Sequence, residues 1–592
     1  MRAIEQYPNL VTMFFARAKE MGDLPFLWRK TEDGWKSLSW TEVALQVAGL
    51  AAALKAQGLK PGDAVMLVSE NRPEFCIADL AIMAAGCVTV PTYTTNTTRD
   101  HQHILTDSGA RAVIVSTAKL AQTLMPAVLR SQASFIVGME PLRGAQGDLS
   151  CHLWADMIAS HIADPDACAA EQVAGRSDLA CIIYTSGTGG APRGVMQHHG
   201  AILCNIEGAG KLLAEDFGWG HEAFLSFLPL SHAYEHSGGQ FLPIMLAGQI
   251  YYAEGLEKLA SNIEETRPTI MVVVPRLFEV LRTRIIKSIE KQGKFPAWLL
   301  SQALRIAAKE QRGEGSIADL PMKLLLNRTL KPKIAKRFGG RMKALVSGGA
   351  PLNPDVGLFF DAIGLTLLQG YGQTEAGPVV SCNRPSVGIA MDTVGPPLDG
   401  VEVKIADDGE ILVRGELVMQ GYWRNAAETE KALKDGWLHT GDIGEIDGKG
   451  RIRITDRKKD LIVNDKGDNV SPQKVEGMLT LQPEIGQAMV YGDRRPHLVG
   501  VLVPDAEWTR EWALTAGKKA DQLAKDAQYL AALRAAVDRV NEELSVTERV
   551  RRIILADEPF TIENGEMTPS MKIRRHVIKA RYGEQLDALY KG

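Results

Sequence analysis

The chain has 592 residues, 45% of them hydrophobic and 23% charged, with a formal charge of -4. That balance fits a soluble globular protein and excludes a strongly basic nucleic-acid binder or a long disordered tail. No apolar run reaches the roughly 20 residues that a membrane-spanning helix needs. The N-terminus, MRAIEQYPNL, has no basic region followed by an apolar stretch, so no secretory leader is expected. Length allows about three to five domains. The seven cysteines are scattered without a CxxC pair, which points to a reducing compartment, the cytoplasm, and to buried thiols rather than disulfides.

From Ala64 to Gln369, short apolar runs alternate with helical patterns: AVMLVS from 64, RAVIVS from 111, ACIIY from 180, TIMVVV from 269 and ALVSGG from 344. Segments 73–86 and 353–362 between them have helical spacing. Alternation of this kind predicts mainly parallel sheets covered by helices, an α/β fold. Residues 281–345 hold sixteen Lys/Arg against four Asp/Glu in a helical pattern broken at Pro296, Gly313–Gly315 and Pro321. Two readings stay open for it: a solvated helical insertion, favoured because no apolar face accompanies the charge, or a surface for anionic lipid or another anion. After about Thr393 the texture changes, and VEVKIADDGEILVRGELV predicts β-hairpins. Residues 506–543 read as helical and charged.

Chemistry concentrates in Tyr184-Thr-Ser-Gly-Thr-Gly-Gly-Ala-Pro-Arg-Gly194, which follows the apolar strand. Four glycines let backbone N–H groups approach an anion, while Thr185, Ser186 and Thr188 add hydroxyl donors and Arg193 a cation. Such a loop cradles a polyphosphate, although it lacks the Gly-Lys-Ser/Thr of a P-loop. It resembles the phosphate signature of the adenylate-forming acyl-CoA synthetase superfamily, Tyr-Thr-Ser-Gly-Thr-Thr-Gly-x-Pro-Lys-Gly. Gly189 stands in place of a threonine and Arg193 in place of the lysine; Gly187 and Gly190 match. Arginine keeps the charge and adds a fork of donors.

Further stretches resemble the same family in the same order. They are Phe227-Leu-Pro-Leu-Ser-His-Ala-Tyr-Glu235, Val274-Pro-Arg-Leu-Phe-Glu279, Ser347-Gly-Gly-Ala-Pro351, Gln369-Gly-Tyr-Gly-Gln-Thr-Glu375, Gly436-Trp-Leu-His-Thr-Gly-Asp442, Asp456-Arg-Lys-Lys-Asp-Leu-Ile462 and Asn564-Gly-Glu-Met-Thr-Pro-Ser-Met-Lys572. The resemblance implies residue roles. His232 lies by the substrate carboxylate, and Gly349 and Ala350 lie against adenine. Tyr371 stacks on adenine between Gly370 and Gly372, and Thr374 touches the α-phosphate. Glu375 with Thr185 binds Mg²⁺, Asp442 and Arg457 hold the ribose, Lys459 marks a hinge, and Lys572 is the catalytic lysine.

The implied fold is a large N-terminal AMP-binding domain over 1–456, with a β-rich subdomain over about 393–456, and a small mobile α+β domain over 457–592. The implied reaction joins a carboxylic acid to ATP as an acyl-adenylate and passes the acyl group to coenzyme A. The Val-Pro-Arg box, the helical segment after it and the C-terminal motif look most like bacterial long-chain fatty acid–CoA ligases. Fatty acid, ATP, Mg²⁺ and CoA are then the ligands, with no nucleic acid. A homodimer and peripheral contact with the inner membrane face accompany that expectation. Three alternatives stand beside it: a fatty acyl-AMP ligase, a CoA ligase for an aromatic or cyclic acid, and a non-catalytic acyl- or nucleotide-binding protein.

Overall fold

A computed structural model of the chain describes residues 4–142, 149–185, 192–458, 461–465, 468–568 and 571–591. Two eight-stranded sheets form its centre. The first runs through Ser150–Leu153, Phe135–Gly138, Ala112–Val115, Ala64–Val68, Val88–Thr92 and Leu179–Thr185, all parallel. Strand Arg193–His198 then turns back antiparallel, and the short Gly421–Tyr422 closes that edge. The second sheet has the parallel run Gln249–Tyr252, Ala223–Ser226, Ile270–Val273, Ala344–Ser347 and Leu367–Gly372 at its heart. The apolar runs expected as strands are strands because they are buried on both faces, as at Ala64–Val68, where every residue is buried.

Helices Leu10–Met21, Trp40–Ala56, Pro73–Ala84 and His199–Phe217 share one apolar core with residues of both sheets. Pro73–Ala84 is buried along nearly its whole length and accordingly is apolar all round. Ser39 opens Trp40–Ala56 with a reciprocal capping box to Glu42.

A third sheet holds the expected hairpin: Glu402–Ile405 pairs antiparallel with Glu410–Arg414, which pairs with Trp437–Ile446, and that strand pairs with Ile452–Arg457. Toward the C-terminus, Ile485–Tyr491, Leu498–Pro504 and Val550–Leu555 form a three-stranded sheet packed by helices Ala527–Glu543 and Arg575–Ala588.

The basic segment differs from its sequence pattern in two respects. Pro296 does not break a helix. It lies in the first turn of Lys294–Gln311, where a missing N–H costs nothing, and the break falls at Gly293, whose φ is 113°. The segment also has apolar faces. Leu299, Leu300, Ala303, Ile306, Leu326, Leu330 and Ile334 build a core against the second sheet. Outward, Phe295, Trp298, Ile317, Leu320 and Leu324 are exposed, a third of the fifteen exposed large hydrophobic residues described.

Among contacts joining the C-terminal part to the large body, Arg276 Nη2 donates to the carbonyl of Gly486 in strand Ile485–Tyr491 at 2.7 Å, and Lys287 pairs with Glu507 of helix Ala506–Ala516 at 2.7 Å. Among the described residues, no helix is long and apolar enough to cross a membrane.

Candidate active site

The site lies where strands of both central sheets end. Thr185 is the last residue of its strand and sits opposite Arg193 in the antiparallel ladder, so the glycine-rich stretch connects neighbouring strands. Ser186, Gly187, Thr188, Gly189 and Gly190 lie outside the described residues, as does Lys459.

Arg193 Nη1 donates to Glu428 Oε2 at 2.6 Å, and its guanidinium lies 4.5 Å from the centre of the Tyr422 ring. The Tyr422 hydroxyl in turn donates to Glu375 Oε1 at 2.8 Å. A single chain of contacts therefore links the loop's cation to the expected metal ligand. Burial, and then the neighbouring Glu375 charge, push the Tyr422 hydroxyl's pKa up, so it stays a donor. Tyr422 and Glu428 carry no signature of their own in the sequence, because their partners here, Glu375 and Arg193, lie far away in the chain.

Glu375 and Thr185 offer hard oxygen donors of the kind Mg²⁺ takes, and Glu375 Oε2 is not the oxygen that Tyr422 occupies. No group of three His, Cys, Asp or Glu that could hold a metal occurs among the described residues. The donor set fits an ion bound by one or two protein oxygens together with phosphate oxygens and water.

The opposite end is built around Asp442. It lies in strand Trp437–Ile446, directly across from Arg457. Tyr371 donates to its Oδ2 at 2.8 Å, and Arg457 Nε stands 3.2 Å from Oδ1. Burial raises the Asp442 pKa, against the pull of Arg457, Tyr371 and Lys572. Gly370, Tyr371 and Gly372 end strand Leu367–Gly372, while Gly349 and Ala350 follow the adjacent parallel strand Ala344–Ser347. Both stretches therefore emerge at one sheet edge. A side chain at Gly372 would place its Cβ 1.8 Å from the Pro378 carbonyl oxygen, so only glycine fits there. The Thr374 carbonyl accepts from Gln197 Nε2 at 2.7 Å, tying this turn to strand Arg193–His198.

His232 caps a short turn, its Nδ1 accepting from the Tyr234 N–H at 3.2 Å. Burial, and then the positive charge of Lys572, push its imidazole down to about 4. The ring is neutral at pH 7 with its proton on Nε2, a donor available to a carboxylate. Lys572 belongs to a turn in which Thr568 N–H donates to the Lys572 carbonyl at 2.8 Å. The neighbouring Met571 packs against Leu228, Tyr234, Val272 and Val274 of the large body. The lysine charge thus acts on both His232 and Asp442, residues from opposite sides of the site.

The AMP-binding enzyme profile matches residues 14–423, and the profile of the AMP-binding enzyme C-terminal domain matches residues 459–592. The chain belongs to the AMP-binding enzyme family. It is 32% identical over 99% of its length to the long-chain-fatty-acid–CoA ligase FadD15 of Mycobacterium tuberculosis, covering 98% of that protein. It is 30% identical to the mouse long-chain-fatty-acid–CoA ligase 6, covering 99% of this chain and 87% of that one. Among solved structures, the adenylation domain of a carboxylate reductase from Mycobacterium chelonae superposes with a TM-score of 0.77 at 22% identity, covering 99% of this chain and 92% of that one. The anthranilate CoA ligase AuaEII, in complex with anthranoyl-AMP, gives 0.73 at 20%, with both chains fully covered. This family fold is the α/β architecture expected above.

Proposed function

We propose that the protein is a long-chain fatty acid–CoA ligase, converting fatty acid, ATP and CoA into acyl-CoA, AMP and pyrophosphate through an acyl-adenylate. The observation that carries the reading is that the Lys572 charge acts on both His232 and Asp442, from opposite sides of the site, with the Arg193–Tyr422–Glu375 chain at the phosphate end. Full-length likeness to long-chain ligases supports the acyl chain class.

The chemistry must bring a carboxylate and the α-phosphate together, two anions, so the barrier is largely electrostatic. Lys572 lies between them and balances the charge that develops. Neutral His232 donates its Nε2 proton to the carboxylate without first having to be charged. Asp442 accepts from the ribose hydroxyls while Arg457 and Tyr371 hold its orientation. Gly349, Ala350 and Tyr371 form the adenine bed, and Thr374 meets the α-phosphate. Arg193 and the glycine-rich loop residues, Ser186 to Gly190, hold the β- and γ-phosphates. Mg²⁺, held by Glu375 and Thr185, would neutralise phosphate oxygens as pyrophosphate leaves. The CoA thiol then attacks the acyl carbon and AMP departs.

In this reading residues 1–456 form the binding body and residues 457–592 a lid that carries Lys572 and turns about Lys459 between the two steps. The basic helices 281–345, with their exposed Phe295, Trp298, Ile317, Leu320 and Leu324, are the surface for peripheral contact with an anionic membrane face inside the cell. The deciding experiment measures AMP and acyl-CoA formation across acids from acetate to oleate, with benzoate and anthranilate included. Acyl-CoA formed best from long acids supports the proposal. AMP-linked product without acyl-CoA would identify an acyl-AMP ligase, and a preference for the ring acids would reassign the substrate.

A further inference from the structure

The phosphate loop departs from its family at Arg193, and the structure places that arginine in a fixed setting. Its guanidinium carbon lies over the Tyr422 ring, 4.5 Å from the centre, while Nη1 reaches Glu428 Oε2 at 2.6 Å. A lysine ammonium, a point charge without a plane or a fork, serves one such partner less well and cannot stack. Tyr422 is itself held at both ends. Its N–H donates to Thr429 Oγ1 at 2.9 Å, and its hydroxyl to Glu375 Oε1 at 2.8 Å. The neighbouring Gly421, at φ 137°, would bring a Cβ to 2.7 Å from the Thr429 methyl, so glycine is what lets the short helix Ala426–Ala432 approach. Asn425 caps that helix by accepting from the Glu428 N–H, which sets Glu428 facing Arg193. Every link in Glu428, Arg193, Tyr422 and Glu375 is thus fixed by its neighbour.

We propose that Tyr422 and Glu428 are positioning residues for the metal and polyphosphate end of the site. Glu428 and the Tyr422 ring clamp Arg193, and the Tyr422 hydroxyl fixes one oxygen of Glu375 so that the other meets the metal. Arg193 keeps Nη2 and Nε for phosphate oxygens while Nη1 stays on Glu428. Metal affinity and polyphosphate affinity are coupled through one aromatic ring. The inference rests on the reading of Glu375 as a magnesium ligand, and it assigns Arg193 a second task beside phosphate contact, that of packing on the ring whose hydroxyl holds Glu375.

The test is Mn²⁺ binding to the full chain with a non-hydrolysable ATP analogue, followed by electron paramagnetic resonance, alongside analogue binding in EDTA and the thermal unfolding midpoint. Tyr422→Phe is expected to raise the Mn²⁺ half-saturation about tenfold, the loss typical of removing a partner that orients a ligand. Analogue binding in EDTA and the unfolding midpoint should stay near wild type. Glu428→Gln and Arg193→Lys should each raise it by a smaller factor, and the double variant should be no worse than the larger single effect. Additive losses, or a Tyr422→Phe titration matching wild type, would overturn the proposal. So would equal losses with and without metal accompanied by a lower unfolding midpoint, which mark a structural role alone. A Glu375→Gln variant that binds Mn²⁺ as wild type does would instead overturn the metal reading underneath.

Discussion

Glu235 closes the Leu-Pro-Leu-Ser-His motif and is 1% exposed, with neither carboxyl oxygen hydrogen-bonded among the described residues. Burial raises its pKa to about 8. In the unfolded chain a glutamate titrates near 4.3. Between those two values the unfolded state has released its proton and the folded state has not. Folding therefore loses stability as pH rises from about 4.5 to about 8, by roughly 1.4 kcal/mol per pH unit. At pH 7 the accumulated cost is about 3.5 kcal/mol. Glu235→Gln keeps the shape and removes the titration. The variant should be more stable than wild type at pH 7 to 8, with the advantage shrinking to about 1 kcal/mol at pH 5 and vanishing only below about pH 4. Urea unfolding at about pH 5, 6, 7 and 8 measures it, with the transition that includes the large body used because a chain of this size is not expected to unfold in one step. Any fixed cost of seating the amide shifts all four points equally, so the slope is the decisive quantity. A wild-type-to-variant difference independent of pH would refute the reasoning.

Lys572→Ala should cripple adenylation, read as pyrophosphate exchange, by two orders of magnitude or more, roughly the loss of a positioned charge at the transition state. It should largely spare acyl-CoA formation from supplied acyl-adenylate, and equal loss in both assays would remove the role assigned to the lysine. Tyr371→Phe deletes the hydroxyl that donates to buried Asp442 and should raise the ATP KM about tenfold, consistent with roughly 1.5 kcal/mol for a hydrogen bond to a charged group. An unchanged ATP KM would show that Arg457 alone orients Asp442. Anionic vesicles should bind the protein in low salt and release it as salt rises, and removing both exposed rings, Phe295→Ala with Trp298→Ala, should weaken binding further. Binding indifferent to salt would argue against the basic helices as the contact.

Much of the large body could be read from the sequence because its strands are buried on both faces and so appear as uninterrupted apolar runs. ALVSGG and TIMVVV are neighbouring parallel strands, and the hairpin after Thr393 follows from turn residues placed between β-rich runs. The exposed apolar residues at 295–324 were not legible, since periodicity reports that a helix has an apolar stripe and not how much of it the fold covers. Pro296 misled because a proline is tolerated in a first turn and disruptive deeper in. At the candidate site, the residues expected to hold adenosine lie in contiguous motifs. The Arg193–Glu428 pair spans 235 positions and the Tyr422–Glu375 bond 47, so only the fold brings these partners together.

The way the C-terminal part meets the body has a further consequence. One anchoring pair, Lys287 with Glu507, is open to solvent, with a half-buried lysine and an exposed glutamate at 29% and 49% side-chain accessibility, and such pairs contribute about 1 kcal/mol at most. Arg276 adds one neutral acceptor, the Gly486 carbonyl. Beside them Met571 seats in the small apolar cluster of Leu228, Tyr234, Val272 and Val274, so in the proposed two-step reading the part that carries Lys572 would give up this ion pair, this hydrogen bond and this apolar contact in leaving its seat. In that reading ionic strength, which screens the Lys287–Glu507 pair and leaves the apolar contacts intact, would be an external dial on how long the lysine stays over the substrate.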